Sequence, residues 1–186
     1  MYALVSLLNG EPRDELHALC GDLRREFCAC GLYVTTFAHV SYQVAAAYNL
    51  EQLGPTLVAL ASQVTPFKAR LTGLGVFTGD NPVVFIPVVR NSALTRLHQL
   101  LWEHVAEIAT DLAGYYHPER WIPHVTLVRG DVDHENLGQI VRRLSEHDVN
   151  WEVTIDHIAL IFDRDTEQGT QFVIPLKGNR RFAEQT

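Results

Sequence analysis

The sequence predicts an α+β fold, bilobal, with an approximate two-fold duplication in which two antiparallel sheets face a central cleft. Apolar spacing alternates between helical and strand periods along the chain, and the order helix, strand, helix, hairpin runs twice. Each run carries one histidine followed two residues later by a hydroxyl, His39 with Ser41 and His124 with Thr126. The repeat lobes span approximately 12–90 and 92–177, inside a single domain covering 1–186.

Residues 2–8 are an apolar run that reads as a buried strand. Leu16, Leu19, Leu23 and Phe27 recur on one helical face and predict a helix near 12–29, closed by Gly31. The stretch from Leu32 to Val44 is rich in β-branched and aromatic residues and reads as one strand carrying His39. Leu50, Leu53, Leu57, Leu60 and Val64 mark a second helix; 67–76 and 83–90 form a hairpin across Thr78–Pro82. Asn91 and Ser92 are N-cap candidates for the longest helix, defined by Leu94, Leu97, Leu101, Val105, Ile108 and Leu112 and ending near Gly114. Trp121 to Arg129 is strand-like, Leu137 to Leu144 is a short helix, and 151–162 with 170–177 form a hairpin whose turn includes Gly169.

With 186 residues, 47% of them hydrophobic, the chain can bury a real core. A formal net charge of −7 argues against a broad basic face for nucleic acid, so any nucleotide is held locally in a cleft. The N-terminal apolar run is too short for a signal h-region or a membrane span. Cys20, Cys28 and Cys30 are odd in number and lack a CxxC, which fits a reducing compartment, the cytoplasm by default, with Cys28 and Cys30 as buried small residues.

Side chains alternate along a strand, so His39, Ser41 and Gln43 share one face while Val40, Tyr42 and Val44 share the other. The same rule places His124 beside Thr126, with Val125 and Leu127 turned inward. A polar pair on an apolar strand is costly unless it meets water or a ligand. Two such pairs at corresponding places therefore predict one shared site. Imidazole near neutral pH serves as either general base or general acid, and hydroxyls can donate to the non-bridging oxygens of a phosphate as charge builds. Such a site needs no metal.

On these motifs the chain resembles the two-histidine phosphoesterase superfamily, in particular its 2′–5′ RNA ligase and cyclic phosphodiesterase branch. Pro123-His-Val-Thr-Leu127, with the preceding amphipathic helix and Trp121, is similar to the second motif of that family, and Leu71–Phe77 with the strand after it resembles its central hairpin. The first motif differs, with Ala38 where proline is frequent, Ser41 in place of threonine, and Tyr42-Gln43 following. The resemblance implies helices outside the two sheets, His39 and His124 as acid–base pair, Ser41 and Thr126 holding phosphate, and no cofactor. It implies a metal-independent phosphodiesterase that opens 2′,3′-cyclic phosphates or cleaves 2′–5′ bonds of a nucleotide or RNA terminus, with RNA ligation in reverse. The alternative is a non-catalytic module that binds the phosphate of a nucleotide or RNA end; a third reading makes the histidines core groups of a scaffold.

Gln43, Phe77, Tyr115 and Trp121 are candidates for lining the substrate cleft, the aromatics by stacking on an unpaired base. Arg129 lies opposite His124 on an ideal strand and so reads as a surface or structural residue. Gly73, Gly75 and Gly79 match no phosphate-binding loop, and the spacing of His98, His104, His134, His147 and His157 fits no zinc site. A monomer without membrane contact is expected.

Overall fold

Short alternating strands and leucine-faced helices follow one another as the periodicity dictates, in the order β1 (Tyr2–Leu7), α1 (Glu11–Glu26), β2 (Leu32–Tyr33), β3 (His39–Ala45), β4 (Ala47–Tyr48) and α2 (Leu50–Ala61). Next come β5 (Phe67–Leu71), β6 (Gly75–Phe77), β7 (Val83–Pro87), α3 (Ser92–Val105), β8 (Ala109–Thr110) and β9 (His124–Gly130). The chain closes with α4 (Leu137–Leu144), β10 (Trp151–Ile155), β11 (His157–Arg164) and β12 (Glu167–Pro175). This is a computed structural model, and it describes residues 1–27, 32–33, 37–130, 132–164 and 167–178. Cys28, Cys30 and Gly31 lie outside the described residues; Cys20 is a free, buried thiol.

The fold is α+β, with antiparallel sheets and, among the described residues, four α-helices. One sheet has the order β12-β11-β1-β3 and the other β2-β9-β7-β6. The ladder of β7 continues from β6 to β5 through a bridge between Leu71 and Val88, and β10 pairs along β5. Each large sheet thus mixes the two halves of the sequence. The His39 strand β3 shares its sheet with β11 and β12, and the His124 strand β9 shares its sheet with β6 and β7.

Burial of leucine faces holds the layers together. Leu16, Leu19, Cys20 and Leu23 of α1 pack toward β9 and β10, while α2 and α3 bury Leu53, Leu57, Leu94, Leu97 and Leu101 on the side of β3, β11 and β12. Apolar burial at roughly 25 cal/mol per Å² is the main favourable term. None of the described helices is long and apolar enough to cross a membrane.

Four expected elements differ. The arm expected over 67–76 is two strands, β5 paired with β10 and β6 paired with β7. The strand expected over Leu32–Val44 is two strands: β2 pairs with β9, Tyr33 opposite Arg129, whereas β3 pairs with β1. Periodicity is the same in either sheet, so it could not show that the chain changes sheets. The helix from Ser92 ends at Val105 rather than near Gly114, and α1, with 16 residues, is longer than its 14. Beyond it the backbone of Ala109–Thr110 pairs with β4, and Asn49 N–H donates to Ile108 O at 3.0 Å, so tertiary pairing overrides the helical spacing. The arm expected over 151–162 breaks at Asp156, sending β10 to β5 and β11 to β1 and β12; Gly169 lies inside β12, opposite Phe162, rather than in the turn.

Asn91 holds the start of α3 on both sides, its Oδ1 accepting from Leu94 N–H at 2.8 Å and its Nδ2 donating to Lys68 O at 2.9 Å. Asn91→Ala removes both bonds, and urea denaturation should show a loss of about 1–2 kcal/mol.

Candidate active site

His39 opens β3, at the end of its sheet, and His124 opens β9, inside the other, and each is fixed by the same local contact. His39 Nδ1 lies 2.6 Å from Phe37 O, and His124 Nδ1 lies 2.7 Å from Ile122 O. A carbonyl only accepts, so in both rings Nδ1 carries the hydrogen and Nε2 is left to take or give a proton. The two imidazoles line one cavity of about 160 Å³ together with Ser41 and Thr126. Two polar pairs 85 residues apart in sequence thus meet at one place.

A β-bulge follows each pair. In β3, Ser41 is opposite Val5 and Gln43 opposite Leu4, leaving Tyr42 as the extra residue; in β9, Thr126 is opposite Phe85 and Val128 opposite Val84, leaving Leu127. Side-chain alternation reverses past each bulge. Gln43, expected on the His39 face, is instead fully buried, with Tyr48 O–H donating to its Oε1 at 3.0 Å. Val44 takes its place on the cavity wall. In β9 the same reversal turns Arg129, exposed and paired with Asp163, to the cavity side of the strand, whereas alternation alone places it opposite His124.

The other candidates divide. Phe77 stacks on Phe85 at 4.2 Å and sets its ring edge-on to His124 at 5.0 Å, supporting the imidazole. Gly75 sits across from Phe85, where a Cβ would come within 2.4 Å of the ring, so only glycine lets these aromatics close. Tyr115 is 79% exposed, and the neighbouring Tyr116 lines the cavity instead, its phenol against the Ser41 side chain. Trp121, expected to line the cleft, is buried; its Nε1–H donates to Ser41 O at 2.9 Å and its ring stacks on His98 at 3.8 Å. His98 in turn donates from Nε2 to Tyr116 O at 2.9 Å and to Tyr42 O at 3.1 Å. Sequence spacing tested His98 only as a zinc ligand and missed this brace; its place on the buried face of α3, beside Leu94, Leu97 and Leu101, was the available signal. Among the described residues no three His, Cys, Asp or Glu side chains converge as a metal site.

Burial pushes the His39 pKa down to about 4, with further lowering from the charges of His124 and Arg129 against the Phe37 carbonyl, which raises it. Burial also lowers His124, while the Ile122 carbonyl opposes it. His98 is likewise held down to about 4 by burial. All three rings favour the neutral form in the ligand-free fold. Between the ordinary value of 6.5 and about 4 the unfolded chain binds protons that the folded chain refuses, so stability is lost as pH falls through that window and is flat above it. Urea midpoints should fall between pH 6.5 and 4.5, each such histidine contributing up to about 1.4 kcal/mol per pH unit, and His98→Gln should shallow the slope.

A profile of the 2′-5′ RNA ligase superfamily matches residues 12–167. A Geobacillus kaustophilus protein provisionally named a phosphoesterase is 23% identical over 133 residues, 71% of this chain and 72% of its own length. Among solved structures, TT0787 of Thermus thermophilus superposes with a TM-score of 0.67 at 21% identity, covering 95% of this chain and 98% of its own. E. coli LigT, in a crystal structure with 3′-AMP, gives a TM-score of 0.61 at 16% identity, covering 94% and 97%. These likenesses agree with the fold described above, and the profile spans both histidine motifs. The chain belongs to the 2′-5′ RNA ligase superfamily of phosphoesterases.

Proposed function

We propose that this protein is a metal-independent phosphodiesterase that opens 2′,3′-cyclic phosphates or cleaves 2′–5′ bonds of nucleotides or RNA ends. The observation that carries the reading is the pair of imidazoles, each locked through Nδ1 to the carbonyl two residues before it, lining one cavity with two hydroxyls. One neutral imidazole takes a proton from the attacking water as its oxygen bonds to phosphorus. The other, protonated, gives its proton to the ribose oxygen as the phosphorus–oxygen bond breaks. Which histidine takes which part follows from the direction in which the substrate lies.

Both rings are neutral in the empty site, so the acid must gain its proton when substrate arrives. A phosphodiester anion between the imidazoles favours that, because an opposite charge nearby stabilises imidazolium. Ser41 and Thr126 donate to the non-bridging oxygens, and Arg129 adds a cation on the same wall. With a ribose hydroxyl of a second RNA end in place of water, the same groups join RNA ends: one imidazole takes the hydroxyl proton and the other protonates the ribose oxygen that leaves the cyclic phosphate. The LigT complex with 3′-AMP supports the assignment, since a ribose phosphomonoester is what opening a cyclic phosphate leaves. Of the aromatic candidates, Phe77 acts by propping His124, and Tyr116 rather than Tyr115 faces the substrate. Trp121 positions Ser41 through its backbone.

His39→Ala and His124→Ala should each lower turnover of a 2′,3′-cyclic nucleotide by ~10²–10⁴-fold with chelator present and circular dichroism unchanged. Near wild-type rates in either folded variant overturn the mechanism. Binding of the cyclic nucleotide without turnover by the wild-type protein would make it a recognition module instead. Arg129→Gln should reduce kcat/KM by roughly 10–100-fold through loss of a charge-assisted hydrogen bond, measured in the same assay.

A further inference from the structure

The two walls of the cleft are alike at the histidines and unlike five residues beyond them. After His124 that position is Arg129; after His39 it is Val44. Val44 is opposite Ala3 across β1, and Ala3 is opposite Ile161 across β11, so three apolar side chains form a row across the sheet next to His39 and Ser41. All three line the cavity and are only partly buried, whereas the apolar residues on the helix side of the same sheet, such as Val40 and Tyr42, are fully covered. Alanine at the centre of the row lets a flat ring approach the sheet closely. At its far end stand Asp163 and Gln168, opposite each other in β11 and β12 and both lining the cavity.

We infer that the row Val44–Ala3–Ile161, closed by Asp163 and Gln168, is a subsite for a guanine base of the substrate; this rests on the phosphodiesterase reading above. A flat heterocycle covers the apolar row, which explains why it is left open in the middle of a sheet. The rim then selects among bases. Guanine presents two adjacent donors, N1–H and the N2 amino group, which match the two oxygens of a carboxylate, and its O6 accepts from the Gln168 amide. Adenine and cytosine set an unprotonated ring nitrogen beside their amino group, facing a carboxylate lone pair, and uracil offers one donor between two carbonyls. Asp163 Oδ2 lies 3.8 Å from Arg129 Nη2, a loose, half-exposed pairing that leaves both carboxylate oxygens able to accept from a base. A carboxylate accepts several hydrogen bonds at once, so the contact and the base are compatible. The base then lies on the Val44 wall with its edge at Asp163, while the phosphate lies between the two histidines, giving the substrate one direction in an otherwise balanced site.

Calorimetric titration with 3′-GMP, 3′-AMP, 3′-CMP and 3′-UMP, alongside kcat/KM for the four 2′,3′-cyclic nucleotides, tests this. Wild-type protein should bind 3′-GMP roughly tenfold more tightly than the other three, the worth of a charge-assisted hydrogen bond at a half-exposed position. Asp163→Asn should bring the ratio to within about twofold. Ala3→Leu should weaken all four nucleotides while leaving inorganic phosphate binding in place. Equal binding of the four by the wild type, or a preference that survives Asp163→Asn, overturns the subsite. Turnover of all four cyclic nucleotides without preference keeps the phosphodiesterase and removes the subsite. Preferential 3′-GMP binding with no turnover of any cyclic nucleotide does the reverse, and no binding of any nucleotide removes both.

Discussion

One inserted residue in each of two strands sets the character of the cleft. Tyr42 in β3 and Leu127 in β9 are the unpaired residues of two bulges, each three positions after a histidine. Before the bulge the strand turns a histidine and a hydroxyl outward and a valine inward. At the bulge two successive residues, Tyr42 with Gln43 and Leu127 with Val128, both turn inward and are fully buried. Without the insertion Gln43 would face the cleft, and Val44 and Arg129 would face the core. The buried guanidinium that this implies would cost several kcal/mol unless paired. The bulges therefore let each strand fill the core and still equip the cleft.

A second layer of polar contacts keeps the two strands, which belong to different sheets, in one relation to each other. Trp121, three residues before His124, donates to the Ser41 carbonyl, and His98 beneath it reaches the carbonyls of Tyr42 and Tyr116. These bonds lie in a low-dielectric interior where a satisfied pair is strong and an unmade one is expensive. His98 Nδ1, buried and without a hydrogen-bond partner among the described residues, shows that the brace is made at a cost. Stacking of His98 on Trp121 offsets part of it.

Charge in this protein is organised locally rather than globally. The chain carries a net charge of −7, yet the cleft wall includes Arg129 and two imidazoles that burial keeps neutral. Asp163 stands 3.8 Å from Arg129 on the same wall, so the local balance of charge is set within a few ångström, while acidic groups on the exterior are screened by solvent and salt. A net charge of −7 and a small cleft that holds a cation beside two imidazoles are thus compatible.

The sequence by itself determined the helical faces, the two histidine–hydroxyl pairs and the turn between β6 and β7, because these depend on periods of two and 3.6 residues and on turn chemistry that operate within a few neighbours. It also carried the cap at Asn91. Only the tertiary structure decided that β2 leaves the sheet of β3, that β10 leaves that of β11, and that α3 stops where Ala109–Thr110 finds β4. Each depends on which distant strand offers its open edge. The bulges belong to this second group: an extra residue between partners leaves no mark on the alternation of one strand read alone. That is why Gln43 and Arg129 exchanged sides, and why the wall of the site became legible only when the strands were paired.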